Sequence, residues 1–486
     1  MALADTFRRA KIVCTVGPAS RDPESLRALV RAGADAVRIN FSHASHADAE
    51  EVLRATRRAA GELGRPVAVV ADLQGPKIRV GDLPRTLHLR EGDTYVFVAE
   101  GSVPDGVPAG VDRDHVVPVT YPELAKDVSP GDRVLLDDGR LELRIRDVSE
   151  GGFEAEALSS GPLESQKGIN LPGVRVGAPA LTAKDREDLR FALEHEVDCV
   201  AQSFVRRPED VAELRAEVGD RCLIISKIEK DQALDELEEV IRRSDGVMVA
   251  RGDLGVELPY EEVPLVQKRI SRLGQELARP SITATQMLES MTKNPRPTRA
   301  EVSDVATALL DGTDAVMLSA ETAVGDYPVE SVRAMSRIIR RIEREGPPFP
   351  SWIREQPRRE RAPVQHSTSG AIAAAAMQAV ERLDSPFMVT FTRSGFTARV
   401  VSAQRPPVPI LAVTDQPRTY RQLALSWGVQ PVLFGGGEVT FDEMLEEARR
   451  VGLEAGFGRS GDRFVVTAGV PFHVTGTTNM IRIEEL

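Results

Sequence analysis

Short apolar, β-branched runs alternate with amphipathic stretches through most of this chain, and the alternation predicts an α/β architecture. The runs lie at about 11–17, 36–42, 67–73, 197–204, 222–228, 246–251, 280–286 and 315–319. Each ends in polar residues, as a buried parallel strand opening into a loop does. Between several of them Pro23–Ala32, Ala47–Leu63, Ala183–Glu194, Pro208–Val218, Leu234–Arg242 and Pro264–Leu277 read as helices with one apolar face. Eight strands alternating with helices is the pattern of a closed (β/α)8 TIM barrel.

The third and fourth runs lie about 120 residues apart, too far for one crossover helix. The insert, 78–176, is rich in Gly, Pro and Asp and carries short alternating strands such as Thr94–Val98, Arg133–Leu136 and Leu141–Ile145. Asp137-Asp138-Gly139-Arg140 between two of them is a hairpin turn. The insert therefore reads as a small all-β domain. Residues 1–77 with 177–345 then make a barrel of about 250 residues, the usual size. A Pro- and charge-rich stretch, 346–363, reads as a linker. From 364 to 486 strands near 387–392, 409–413, 430–434, 463–467 and 480–484 predict a separate open α/β domain.

Composition narrows the partners. The 486 residues are 42% hydrophobic and 28% charged, with no apolar stretch long enough to span a membrane. Met1 to Lys11 lacks the apolar core of a secretory signal, so a cytoplasmic location is expected. Cys14, Cys199 and Cys222 fall inside apolar runs without CxxC spacing and read as core residues of a reducing compartment. A net charge of −12 argues against nucleic acid as a bulk partner. An anionic substrate would need a few cations focused in a cleft.

A barrel places its chemistry at the C-terminal ends of the strands. Those ends offer Arg38, Asn40, Ser42 and His43, then Asp72 and Lys77, Lys227 and Glu229, Arg251 and Asp253, Thr285, and Ser319 with Glu321. Taken singly, each is an ordinary surface or salt-bridge group. Together, polar groups from six strand ends outline a site. Glu229 and Asp253 supply hard oxygen ligands for Mg²⁺ or Mn²⁺. Lys227 adds a point charge and Arg38 a planar fork, the cations that phosphoryl transfer requires.

These residues lie in motifs that resemble pyruvate kinase. They are Arg38-Ile-Asn-Phe-Ser-His43, Asp72-Leu-Gln-Gly-Pro-Lys-Ile-Arg79, Ser226-Lys-Ile-Glu229 and Met248-Val-Ala-Arg-Gly-Asp-Leu-Gly255. Ala284-Thr-Gln-Met-Leu-Glu-Ser-Met291, Pro295-Arg-Pro-Thr-Arg-Ala-Glu301 and Met317-Leu-Ser-Ala-Glu-Thr322 extend the likeness. The resemblance implies a barrel, an inserted β-barrel lid and a C-terminal regulatory domain, usually assembled as a homotetramer. It implies phosphoryl transfer from phosphoenolpyruvate to ADP, giving pyruvate and ATP. By position, Lys227 and Arg38 would hold the phosphoryl group, and Glu229 and Asp253 the divalent ion. Backbone at Gly252 and Asp253, with Thr285, would hold the substrate carboxylate; Thr285, Ser319 and Glu321 would feed a proton relay. Asn40, His43, Arg79 and Lys184 match positions near the nucleotide or the lid hinge.

Departures from the family pattern carry their own expectations. Members that need K⁺ read Asp-Thr-Lys-Gly-Pro-Glu-Ile-Arg in the third-strand motif, whereas this chain has Leu73, Gln74 and Lys77. An oxygen ligand is lost and a tethered ammonium enters the cleft. Activity without K⁺ is expected, with Asn40, Ser42 and Asp72 facing Lys77. Ala320, Val324 and Gly177 replace the usual Gly, Lys and Asp. In the C-terminal domain, Thr392, Ser394, Gly395 and Thr397 of Thr392-Arg-Ser-Gly-Phe-Thr-Ala-Arg399 precede and open a helix, an arrangement that binds anions. The resemblance makes this a sugar-phosphate or AMP effector site, completed by Gly469-Val-Pro and Gly476-Thr-Thr-Asn479.

Overall fold

The computed structural model describes residues 3–101, 115–344, 367–435, 440–470 and 478–486. The segment read as a linker, 346–363, lies outside them. Eight parallel strands close into a barrel: β1 Lys11–Thr15, β2 Ala36–Asn40, β3 Ala68–Asp72, β4 Cys199–Gln202, β5 Leu223–Ile228, β6 Gly246–Ala250, β7 Ser281–Ala284 and β8 Ala315–Leu318. All eight expected strands are present, several ending earlier than the apolar runs do. At β7 the cause is visible: Thr285 and Gln286 turn to φ +69° and +54°, which no strand tolerates. After β2, Asn40 Oδ1 accepts the Ser42 N–H at 3.1 Å and bends the chain away.

Small and medium residues such as Ala36, Ala68, Val70, Ala201, Ile225 and Met248 fill the barrel interior. Larger aliphatic side chains pack the outer faces of the strands against the helices. Those helices begin on strong signals. Asp22 caps Pro23–Ala32, and Thr182 and Thr298 form reciprocal capping boxes with Asp185 and Glu301.

The N-terminal end of the barrel repeats one device four times. Asp35, Asp198, Asp245 and Asp314 stand just before β2, β4, β6 and β8. Each accepts a backbone N–H of the preceding strand: Ile12 at 2.9 Å, Val69 at 2.8 Å, Ile224 at 2.9 Å and Ser281 at 2.9 Å. Each is also paired with arginine, respectively Arg8, Arg57, Arg215 and Arg405.

The insert forms a six-stranded sheet and a two-stranded pair. Asp137, Asp138 and Gly139 adopt φ +51°, +55° and +84° at its hairpin turn. In the C-terminal domain, four parallel strands and a final antiparallel one make an open sheet. That domain docks beneath the barrel. Arg405 meets Asp314 at 2.8 Å, Arg421 meets Asp198 at 2.7 Å, and Lys11 Nζ donates to the Val429 carbonyl at 2.6 Å.

Candidate active site

Lys227 lies two residues beyond Ile225 on β5 and shares its inward face, one layer above the apolar filling. Its ammonium bonds Ser203 Oγ at 2.8 Å, Glu229 Oε1 at 2.9 Å and Asp72 Oδ1 at 3.3 Å. Asp72 Oδ2 accepts from Arg38 Nε at 2.5 Å, and Arg38 Nη1 donates to Thr15 Oγ1 at 3.0 Å. Five strand ends thus converge on one buried network. Burial alone would push the Lys227 ammonium toward neutrality, but Asp72 and Glu229 outweigh it and hold its pKa above the ordinary lysine value. Burial likewise opposes ionisation of Asp72, and Arg38 and Lys227 reverse that too. The lysine therefore stays charged at neutral pH.

Glu229 is buried, and its Oε2 accepts the Phe204 N–H at 2.6 Å. Burial raises its pKa, the charge on Asp253 raises it further, and Lys227 only partly offsets both. Two carboxylates at neighbouring strand ends, one of them buried, are a donor pair suited to a divalent cation. Among the described residues no group of three or more His, Cys, Asp or Glu converges as a metal cage. The pair matches the habit of Mg²⁺, which takes one or two carboxylates and keeps its other positions for water and substrate oxygens.

Lys77 is positioned by the loop after β3. Gly75 there adopts φ +69°, and a Cβ on it would stand 2.9 Å from both Ser203 Cβ and the Phe204 ring; only glycine lets the loop cross at this point. Lys77 Nζ lies 3.9 Å from Asp253 Oδ1. The sequence reading had it facing Asn40, Ser42 and Asp72, and here the geometry differs. Both Asp72 oxygens are already engaged by Arg38 and Lys227, while Asp253 is partly exposed on the opposite lip.

Thr285 receives the Gly252 N–H on its Oγ1 at 2.9 Å. Arg251 fixes the strained turn by donating to the Thr285 carbonyl at 2.7 Å and the Ala284 carbonyl at 3.2 Å, and it is anchored to Asp304 at 2.7 Å. Glu321 is fully buried, with Oε1 on the Leu288 N–H at 2.9 Å and Oε2 on the Ser319 N–H at 2.7 Å. It ties the β7 and β8 loops together. Ser319 Oγ is buried with no hydrogen-bond partner among the described residues.

His43 lies near Arg79, Arg38 and Lys77, and burial followed by these three charges depresses its pKa. The neutral imidazole is thereby favoured inside a cationic patch. Arg79, at the start of the insert, bonds the Gln166 carbonyl at 2.9 Å. Lys184 is tied to Asp188 at 2.6 Å and the Phe41 carbonyl at 2.8 Å, behind the β2 loop. In the C-terminal domain Gly395 caps helix Phe396–Ala403 at φ +78°, with Thr392 and the exposed Ser394 in the loop before it. Thr397 Oγ1 is engaged by Thr478 Oγ1 at 2.8 Å. Pro471, Gly476 and Thr477 of the expected effector site lie outside the described residues.

The family model "Pyruvate kinase, barrel domain" matches residues 7–332, and "Pyruvate kinase, alpha/beta domain" matches 370–484. The chain belongs to the pyruvate kinase family. It is an enzyme, a phosphotransferase. It is 46% identical to the pyruvate kinase of Mycobacterium tuberculosis over 486 residues, covering 99% of this chain and 98% of that one. With that of Agrobacterium vitis it shares 45% over 480 residues, 99% and 97% of the two chains. The Clostridium acetobutylicum pyruvate kinase is 40% identical over 487 residues, 98% and 99% covered.

Against the pyruvate kinase pattern, Gly177 has a local explanation. A Cβ there would stand 3.3 Å from Oδ1 of Asp127, whose Oδ2 accepts the Gly177 N–H, so the usual aspartate would meet a like charge. Val324 is exposed and Ala320 begins a short helix; neither change is explained by its surroundings. Reading only six strand ends missed Thr15, Ser203 and Phe204. The same rule applied to β1 and β4 would have found all three, since Ser203-Phe204 follows β4 directly.

Proposed function

We propose that this enzyme transfers the phosphoryl group of phosphoenolpyruvate to ADP, giving pyruvate and ATP, with a divalent ion on Glu229 and Asp253 and without a K⁺ requirement. The observation that carries the reading is Lys227, a buried ammonium held charged by Asp72 and Glu229 at the barrel mouth. Lys227 offers a fixed positive charge to the phosphoryl oxygens in transit. Arg38 binds the same group through Nη2, which takes part in neither its Asp72 nor its Thr15 bond. Thr285 and the Gly252–Asp253 backbone orient the substrate carboxylate. When bound, the divalent ion neutralises charge on the oxygens passing between donor and acceptor. Water protonates the enolate, and Thr285 with the unpartnered Ser319 hydroxyl orders that water, while Glu321 holds the loops.

Asn40, His43, Arg79 and Lys184 border the nucleotide side. Lys77 supplies the fixed positive charge that stands in for K⁺, from beside Asp253 rather than against Asn40, Ser42 and Asp72. Residues 1–77 and 177–345 do the chemistry, 78–176 closes over it, and 364–486 regulates through a sugar phosphate or AMP at Thr392–Thr397. The assembly is a homotetramer, checked by light scattering. Purified protein with phosphoenolpyruvate, ADP and Mg²⁺, in buffer free of K⁺ and Na⁺, should form pyruvate at nearly the rate seen with K⁺. No pyruvate under either condition sinks the activity; a large K⁺ requirement sinks the role of Lys77.

A further inference from the structure

Glu229 and Asp253 belong to separate loops, and another pair of residues joins those loops. Lys230 follows Glu229 directly, and its ammonium bonds Glu257 Oε1 at 2.5 Å. Glu257 stands one helical turn after Asp253 on Arg251–Glu257, so the two carboxylates share a face. Asn170 Nδ2, in the last strand of the insert, donates to the same Glu257 oxygen at 3.0 Å. Phe204 completes the ring of contacts: its N–H holds Glu229 at 2.6 Å, and its ring centroid lies 5.9 Å from Lys230 Nζ. The Glu257 side chain is 1% exposed, and its Oε2 has no hydrogen-bond partner among the described residues.

Such a pair does not serve stability well, because desolvating both charges offsets most of their attraction. What it supplies is geometry. It fixes the spacing between the Glu229 loop and the Asp253 helix, and it neutralises a carboxylate that would otherwise repel Asp253. Resting on the reading of Glu229 and Asp253 as the divalent-ion ligands, we propose that Lys230 and Glu257 are positioning residues for that ion. Partners that orient metal ligands typically contribute about 10–100-fold in affinity.

Mn²⁺ serves as the probe, titrated into the full-length enzyme without substrates while electron paramagnetic resonance counts the free ion. Lys230→Met and Glu257→Gln should each weaken binding about 10-fold or more, and Lys230→Arg should recover most of it. Because Lys230→Met strands a buried carboxylate, the double variant Lys230→Met/Glu257→Met is the decisive one. It replaces the pair with apolar volume and should melt like the parent, yet bind Mn²⁺ weakly. Parental affinity in this double variant, with binding lost in Glu229→Gln, overturns the positioning role alone. Binding retained in Glu229→Gln overturns the ligand assignment and the positioning role with it.

Discussion

The two ends of the barrel are both dense with charge and organise it in opposite ways. At the N-terminal end, four aspartates each hold a backbone N–H of the neighbouring strand and an arginine. These four aspartates and their arginines are spent on the fold or on docking the C-terminal domain. At the C-terminal end, Lys227 is divided among Asp72, Glu229 and Ser203, and Asp72 between Lys227 and Arg38. Positive φ occurs at both ends, at Phe204, Thr285 and Gln286 above and at Glu196 and Ala278 below, so the charge networks alone separate them. Backbone-anchored pairs make a rigid base, whereas side chains sharing partners can redistribute charge when an anion arrives. The comparison teaches where the molecule is structural and where it is chemical.

Four substitutions test this division. Lys227→Met should lower turnover by about 10²–10³-fold, the size of one preorganised charge in a closed site; steady-state kinetics giving full turnover would break the contrast. Arg405→Met should do the reverse. It strands the nearly buried Asp314, so denaturant unfolding should show a loss of about 3–5 kcal/mol, with turnover per folded molecule intact. A loss of turnover matching that of Lys227→Met would mean that the base is also catalytic.

Lys11 sharpens the picture through pH. Burial, with Arg8 adding to it and Asp35 opposing, pushes its ammonium down to about 8. Between about pH 8 and the unfolded lysine value near 10.4, the unfolded chain holds a proton that the folded chain has released. This group therefore makes stability rise with pH across that window, and adds no pH dependence below it. Lys11→Met should lose this pH dependence, so the parent should gain about 3 kcal/mol relative to the variant between pH 7 and pH 10. Paired melts at the two pH values measure it; a constant gap refutes the buried-ammonium account. The smallest effect belongs to the strained turn. Exposed Gln286 at φ +54° gains nothing visible from its side chain, so Gln286→Gly should stabilise by about 1 kcal/mol in a thermal melt.

Much of the fold was legible because its signals are local. The run around Met248 is apolar, and those around Val37, Val69 and Ile224 are apolar apart from polar residues toward their C-terminal ends, while proline or capping residues mark helix starts between them. The base of the barrel was legible in principle and was missed. Asp35, Asp198, Asp245 and Asp314 each stand just before an even-numbered strand, a periodicity hidden by the inserted domain between the first and second of them. Lys230 and Glu257 were not legible: 27 residues apart, on different loops, they carry no spacing that marks them as partners.

The sequence by itself determined the order of strands and helices, the three compositional regions and the family, since periodicity and long motifs survive without coordinates. Only the tertiary structure decided which charge meets which. It paired Lys77 with Asp253, turned Glu321 into a tie between two backbone loops, and set Lys230 against Glu257 beside the insert. The physical reason is range. Hydrophobic burial depends on the pattern of neighbours along the chain, but a salt bridge or hydrogen bond forms only within about 4 Å, a distance that the folded chain alone sets.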